Sequence, residues 1–272
     1  MDNLLSKDTY QELISDIRFL KEKFFTNFFW NDDTHNQWIE HHELSYAKLS
    51  ERTVLIFRKN DGFKNLYYIT ANLDDLGQQL KIWSETNKEC YVCDIVGREK
   101  DIEPLQHIFS SIGFSICRML KRMVRVKDIS DLSPVENNYI SYASYDDISA
   151  IHEILETFFD KYSEQLPTEY ELQKQIDKHG VILYKEASKI GGIVIFDDLK
   201  ATMQLKYWLV LPEFRDKHIG TLLYNAMMYD CRNAKRQMHW VVSDNDNAIK
   251  RYLHYGYKFD SLIDTILLKQ KF

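Results

Sequence analysis

Leu209-Val-Leu-Pro-Glu-Phe-Arg215-Asp-Lys-His-Ile-Gly-Thr221 is the stretch whose reading decides the fold. An apolar strand runs into a Pro-containing turn. Arg215, Lys217 and His218 follow, and Ile219-Gly220-Thr221 opens a helix with no acidic residue in its first turn. The first N–H groups of a helix have no internal partner, and the helix dipole adds positive potential there. Such a turn is a ready seat for a phosphate group. A strand feeding a helix through this turn also predicts an α/β arrangement.

Working outward, the 272 residues allow one large domain or two ordinary ones. The chain is 44% hydrophobic, enough for a real core. The net charge of −6 is opposite in sign to a broad nucleic-acid surface, which excludes that partner class. No apolar run reaches the length of a membrane span, and no charged-then-apolar leader pattern opens the sequence. Cys90 and Cys93 form a Cys-x-x-Cys inside the apolar run Cys-Tyr-Val-Cys-Asp-Ile-Val. No second pair lies at ligand spacing, so the pair reads as buried strand thiols and no metal is expected. These features imply a reducing, cytoplasmic setting.

Apolar spacing predicts a helix from Thr9 to Phe29 and strands at Thr53–Phe57 and Leu66–Ile69, joined through Asn60-Asp61-Gly62. A helix over Leu73–Glu85, a strand over Cys90–Val96, a helix over Ile102–Ser111 and a strand over Phe114–Val126 complete the first half. The polar run Lys127–Asn138, with Ser133-Pro134 and Asn137-Asn138, reads as a linker. Beyond it the pattern is strand, two helices, three strands, helix, strand, helix, strand. The proposed boundaries are 1–128 for the first domain, 129–138 for the linker and 139–272 for the second domain.

A second motif lies downstream: Asn245-Asp-Asn-Ala248-Ile-Lys-Arg-Tyr252-Leu-His-Tyr-Gly256-Tyr257. Ala248 and Tyr252 are four apart and share a helix face. With Arg215-Asp-Lys-His218-Ile-Gly220 and the element order, residues 139–272 resemble the GCN5-related N-acetyltransferase (GNAT) family. The resemblance implies an α+β mixed sheet with two tandem acyl-CoA N-acyltransferase-like domains, the second complete. It implies that Arg215 and the amides of Lys217, His218, Ile219, Gly220 and Thr221 hold the pyrophosphate of acetyl-CoA. Main-chain groups of Leu209, Val210 and Leu211 would hold the pantetheine arm, with Asn245 adding a cofactor contact. Tyr252 would be the general acid that protonates the departing thiolate. His218 stands where the family pattern has its first glycine; helical geometry at His218 would remove any penalty for this.

The first half echoes the second. Aligning Gly113 with Gly256 sets Phe109 opposite Tyr252, and Thr70-Ala-Asn72 offers no basic turn before the helix at Leu73. This half resembles a degenerate copy. The expected activity is transfer of an acetyl group from acetyl-CoA to a primary amine, on a small molecule or a peptide, by direct attack in a ternary complex. The alternative is a non-catalytic acyl-CoA-binding or partner-binding protein. No general base is singled out among Asp197, Asp198, Glu213 and Asp244. The loop Phe159–Pro167, with Asp160, Tyr162 and Glu164, is the expected substrate-facing segment. Neither the acceptor nor the oligomeric state is written in these residues.

Overall fold

The computed structural model describes residues 3–126, 131–215 and 217–271. Its first helix, α1 (Lys7–Phe19), is capped by Ser6, whose side chain accepts the Thr9 N–H at 3.1 Å. Tyr10, Leu13 and Ile17 form its buried stripe. The helix expected to reach Phe29 stops at Phe19. Lys21 takes a left-handed conformation (φ 56°), and the chain turns to pair with a strand instead of continuing.

The chain forms two compact units, Met1–Leu120 with Ser261–Phe272, and Lys121–Asp260. The chain thus does not divide at a single point. The boundary expected at 128 and the first linker residues, 129 and 130, lie outside the described residues. The later part of the linker, from Asp131 to Asn138, is irregular.

Unit 1 continues with β1 (Asn3–Leu4), β2 (Phe25–Thr26), α2 (Asp32–Glu40), β3 (Leu44–Lys48), β4 (Thr53–Lys59), β5 (Lys64–Thr70), α3 (Leu73–Thr86), β6 (Tyr91–Gly97), α4 (Glu99–Ser110) and the start of β7 (Ser115–Val126). Unit 2 holds β8 (Ile140–Tyr142), α5 (Ile148–Phe158), α6 (Glu169–Asp177), β9 (Val181–Glu186), β10 (Lys189–Asp198), β11 (Thr202–Val210), α7 (Ile219–Asp230), β12 (Arg236–Val242), α8 (Asp246–His254) and the start of β13 (Lys258–Lys269). Strands β7 and β13 are 12 residues each, which at strand rise spans roughly 40 Å. β7 is divided evenly between the units at Leu120, whereas β13 has only its first three residues, Lys258–Asp260, in unit 2.

In unit 1 the strand order is β1-β3-β4-β5-β6-β13-β7. The C-terminal part of β13 pairs antiparallel with β6, from Ile263↔Gly97 to Lys269↔Tyr91. Its Leu267, fully buried, joins Cys93, Tyr91, Phe109 and Phe114 in the core. In unit 2 the order is β13-β7-β12-β11-β10-β9-β8. Met123 of β7 is fully buried in its core with Leu223, Met227 and Tyr257.

The strands of unit 2 alternate. Val181, Leu183, Ile193, Ile195 and Tyr207 pack under α5 and α6 with Ile151 and Leu155. Ile182, Val194, Phe196, Met203 and Leu205 pack under α7. Such alternation is what places helices on both faces of a sheet.

Because β13 completes the core of unit 1 and β7 that of unit 2, a cut in the linker removes a core strand from each. A fragment spanning 139–272 is expected to lack the cooperative unfolding transition of the full chain, read by circular dichroism during denaturant titration.

Candidate active site

The site is set by an interruption in strand pairing. β11 pairs parallel with β12 only at Thr202↔Arg236, Met203↔Gln237 and Gln204↔Met238. No later pair joins them among the described residues. On the other side of β11 the register to β10 shifts, from Ile195↔Tyr207 to Phe196↔Leu205, leaving Lys206 as the extra residue of a bulge. A bulge bends its strand and increases the local twist. Placed just past the last β11–β12 pair, it turns β11 away from β12. Trp208, Leu209 and Val210 then run beside an unpaired stretch and are only half-buried, while Leu211 is buried.

At the end of β11 the chain makes the anion turn. Phe214 is buried and anchors it, while Arg215, Lys217 and His218 are exposed. Lys217 is engaged by Glu186 at 3.0 Å. α7 then starts at His218 with no acidic residue in its first turn and no side-chain cap. His218 is left-handed (φ 57°, ψ 16°). The helical geometry that would have removed the penalty is not adopted: this position has the backbone that glycine adopts freely and other residues adopt at a cost. Histidine is among the residues that tolerate it better. The amide of Thr221 is already bonded to the His218 carbonyl at 3.0 Å. Among the described residues, the N–H groups of Lys217, His218, Ile219 and Gly220 have no bonded acceptor, which leaves four of the five expected amides open.

Gly220 leaves room for a single methyl group. A Cβ there would meet Trp208, Val210 and Arg251 at 3.5–3.6 Å, ordinary contact distances. The guanidinium of Arg251 lies beside this helix start, 5.4 Å above the Trp208 ring. Sequence reading passed over Arg251, because only its place beside Gly220 in space marks it.

α8 begins at Asn245, whose side chain accepts the Ala248 N–H at 3.1 Å. The predicted cofactor contact Asn245 thus has a capping role. Tyr252 projects from α8 onto the end of the paired stretch. Its ring lies 3.6 Å from that of His239 and 5.9 Å from those of Trp208 and Tyr257. Burial raises the pKa of its hydroxyl, Arg251 lowers it, and the nearby Glu164 carboxylate and Tyr224 raise it further. Tyr255 reaches Thr221 Oγ1 at 3.3 Å and stacks on Tyr224 at 4.0 Å. A cleft of about 590 Å³ beside Tyr255 is lined by Val124, Arg125, His254 and Lys258.

The expected substrate loop is built around its own contacts. Asp160 accepts the N–H groups of Tyr162 and Ser163 and is spent on the turn. Tyr207 donates to the carbonyls of Glu164 and Gln165 at 2.6 and 2.9 Å, fixing the loop to β11. Of the acids considered as a base, Asp197 pairs with Lys206 and Glu213 with Lys189. Asp198 accepts the Lys200 N–H. Asp244 bonds Asp246 through its carbonyl.

Unit 1 repeats this plan with each opening closed. The α4–Gly113–Phe114 corner matches α8–Gly256–Tyr257: both glycines have φ near +85–90°, and Phe114 N–H bonds Phe109 O as Tyr257 N–H bonds Tyr252 O. Phe109 is buried in Tyr252's place without a hydroxyl. β5 and β6 also separate after two pairs, Lys64↔Tyr91 and Asn65↔Val92. The gap is filled by the chain itself: β2 pairs with β5, and Asn27 bonds Tyr68 N–H at 2.7 Å and Asp94 O at 3.0 Å, bridging the two strands. At the start of α3, Asn72 takes the amides of Asp74 and Asp75, and those two acids occupy the first turn. Cys93 is buried and its thiol pKa is raised by burial; Cys90 is half-buried.

Residues 148–257 match the model of the Acetyltransferase (GNAT) family. The chain carries a GNAT domain. Solved structures share the fold over nearly the whole chain. A GCN5-related N-acetyltransferase from Sphaerobacter thermophilus is 13% identical, with 99% of this chain and 95% of that one covered and a TM-score of 0.57. A Drosophila protein is 12% identical over 100% and 99%, with a TM-score of 0.60. A tandem GNAT protein from the clavulanic acid biosynthesis pathway is 10% identical over 84% and 83%, with a TM-score of 0.54. At these identities the likeness is one of fold. No curated protein matches the sequence. No helix among the described residues is long and apolar enough to cross a membrane.

Two substitutions separate the roles of this turn. Gly220→Ala has room in the folded protein and improves helix propensity, so its melting temperature is expected to hold or rise. The added methyl enters the space before the free amides, so affinity for coenzyme A, read by calorimetry, is expected to fall at least roughly tenfold. His218→Gly relieves the left-handed backbone, by about 1 kcal/mol, and chemical denaturation should show the gain.

Proposed function

We propose that the protein is an N-acetyltransferase that moves an acetyl group from acetyl-CoA to a primary amine, by direct attack within a ternary complex. The observation that carries this reading is the coincidence of three features in one unit: an unpaired stretch of β11, the free amides at the start of α7, and Tyr252 at the point where β11 and β12 part.

These residues fit a coenzyme A thioester, which supplies an acyl group already activated for attack. Main-chain groups of Leu209, Val210 and Leu211 offer strand-like hydrogen bonds to an amide-bearing arm. The amides of Ile219 and Gly220, with Arg215 and Arg251 nearby, suit the doubly charged pyrophosphate. The cleft of Arg125, His254, Tyr255 and Lys258 is cationic and aromatic, as a phosphorylated nucleoside requires.

In the transfer step the amine nitrogen bonds to the acyl carbon and the carbon–sulfur bond breaks. Tyr252 gives its phenolic proton to the departing sulfur, and the proton lost by nitrogen passes to water. Glu164 is the carboxylate whose charge Tyr252 senses, and it favours a cationic acceptor at this end of the site. No protein nucleophile is needed, and both buried thiols, Cys93 and Cys231, have pKa values raised by burial, which keeps them protonated.

A cytoplasmic setting fits the free thiols of Cys90, Cys93, Cys117 and Cys231. With Asn27 filling the corresponding gap of unit 1, one cofactor should bind per chain.

Calorimetric titration with acetyl-CoA is expected to give a stoichiometry of one. Tyr252→Phe should lower kcat by 10²-fold or so while leaving acetyl-CoA affinity within about threefold, the range for loss of a general acid. Full activity in that variant removes Tyr252 from its role. Cofactor binding without transfer to any member of an amine and peptide panel favours the non-catalytic alternative.

A further inference from the structure

His239 is the first residue of β12 beyond its last pair with β11, since Met238↔Gln204 closes the paired stretch. It is 1% exposed. Both ring nitrogens are buried without a hydrogen-bond partner. A buried polar group without a partner is destabilising, so an aliphatic side chain would serve the core better. Its ring contacts are specific. One face lies against Tyr252, with centroids 3.6 Å apart and planes tilted by 37°. Its other neighbour, Tyr257, is met edge-on at 4.7 Å and 68°. An edge-to-face pair of this kind is a favourable aromatic arrangement.

We propose that His239 is the positioning residue for Tyr252: its flat, uncharged ring fixes the phenol at the end of the paired stretch. This rests on the acyl-transfer reading of the site.

The Tyr252 hydroxyl has no hydrogen-bond partner among the described residues, so ring packing alone sets its direction. Trp208 and Tyr257 stand 5.9 Å away and confine the ring loosely. His239 makes the close contact. General acids are sensitive to placement, and a displacement near 1 Å can cost 10²-fold in rate.

Charge matters as well. Burial alone holds the imidazole neutral, with its pKa pushed down to about 3. A cation in this position would favour the phenolate and discharge the acid before use. The charged and titratable groups that act on Tyr252 are Arg251 on its own helix, Glu164 on the loop before α6, and Tyr224 on α7. His239 separates the phenol from the sheet without adding to that set.

Two variants of similar volume test this, His239→Phe and His239→Leu, each assayed with Tyr252→Phe beside them. Both fill the space, and only phenylalanine keeps a flat ring. Thermal unfolding of each reports whether the fold survives. The expected result is kcat within about threefold of wild type for His239→Phe. For His239→Leu, kcat should fall at least roughly tenfold with KM for acetyl-CoA within about threefold. The pH profile supplies a second readout. Wild type and His239→Phe should keep their rate into alkaline solution, while His239→Leu, with a phenol free to tilt toward water, should lose rate near the ordinary phenol value of about 10. A purely structural role lowers the melting temperature without moving that limb.

Wild-type kcat and an unmoved alkaline limb in His239→Leu overturn the proposal. So does a His239→Phe variant as slow as His239→Leu, which would give the nitrogens a chemical role of their own. If Tyr252→Phe is as fast as wild type, the acyl-transfer reading of the site fails first and takes this proposal with it. A slow Tyr252→Phe with an unaffected His239→Leu rejects the positioning role alone.

Discussion

The constraint on which the rest of the site depends is the early end of pairing between β11 and β12. Backbone N–H and C=O groups are obligatory hydrogen-bonding groups, and interior strands normally satisfy them in a ladder. In unit 2 the ladder to β12 stops after Gln204↔Met238, and the bulge at Lys206 turns the strand just beyond. The departure exposes main-chain groups in the middle of a sheet, a place where an extended ligand can pair as a strand would. It also determines where β11 ends and where α7 begins. The turn at Arg215–Thr221 and the ring of Tyr252 lie at opposite ends of one stretch of β11 that has no β12 partner among the described residues.

Unit 1 shows what the same plan becomes when the break is closed. Its β5 and β6 also part, after Asn65↔Val92. Here β2 takes the vacated edge, and Asn27 satisfies Tyr68 N–H and Asp94 O with one side-chain amide. An amide is the chemical group that two strand edges would otherwise offer each other, so one asparagine can span the gap. At α3 a side-chain cap and two carboxylates replace free amides, which reverses the electrostatic preference of the helix start. Phe109 keeps the packing of Tyr252 and drops the proton. Three independent openings are shut in one unit and left in the other. That pattern distinguishes a binding unit from a scaffold more firmly than any single motif.

Much of this was legible in the sequence, for physical reasons that also explain the gaps. The turn at Arg215–Thr221 and the α8 segment are local, and their spacing is read along one helix or one turn. Gly113 and Gly256 require positive φ and announce themselves as matching corners. What escaped was non-local. The helix run toward Phe29 has good apolar spacing, yet Phe25 and Thr26 gain more as a strand on β5, a choice made by tertiary pairing. The division of β7 and β13 between units follows from strand length, which no linker composition reveals. His218 looked harmless in helical geometry, and only the backbone shows it left-handed. Arg251, His239 and Trp208 converge from α8, β12 and β11, and no spacing rule links the three.

Desolvation at Tyr252 raises a question of strength, since a phenol with a raised pKa is a weaker acid. The comparison that matters is between donor and acceptor in the same place. Under the proposed acyl transfer, a thiolate leaving into a site lined by Trp208, His239 and Tyr257 would also be deprived of water, and its own proton affinity would rise for the same reason. Both partners shift together, so the driving force for transfer between them is less disturbed than either value suggests. On the acyl-transfer function proposed above, what the raised pKa changes is the proton's occupancy: Tyr252 would remain loaded across the pH range in which an amine acceptor becomes neutral and nucleophilic. A free amine needs mildly alkaline solution, an ordinary phenol begins to ionise there, and burial moves the second away from the first. An uncharged ring beneath Tyr252 preserves that separation, whereas a protonated histidine in the same place would erode it.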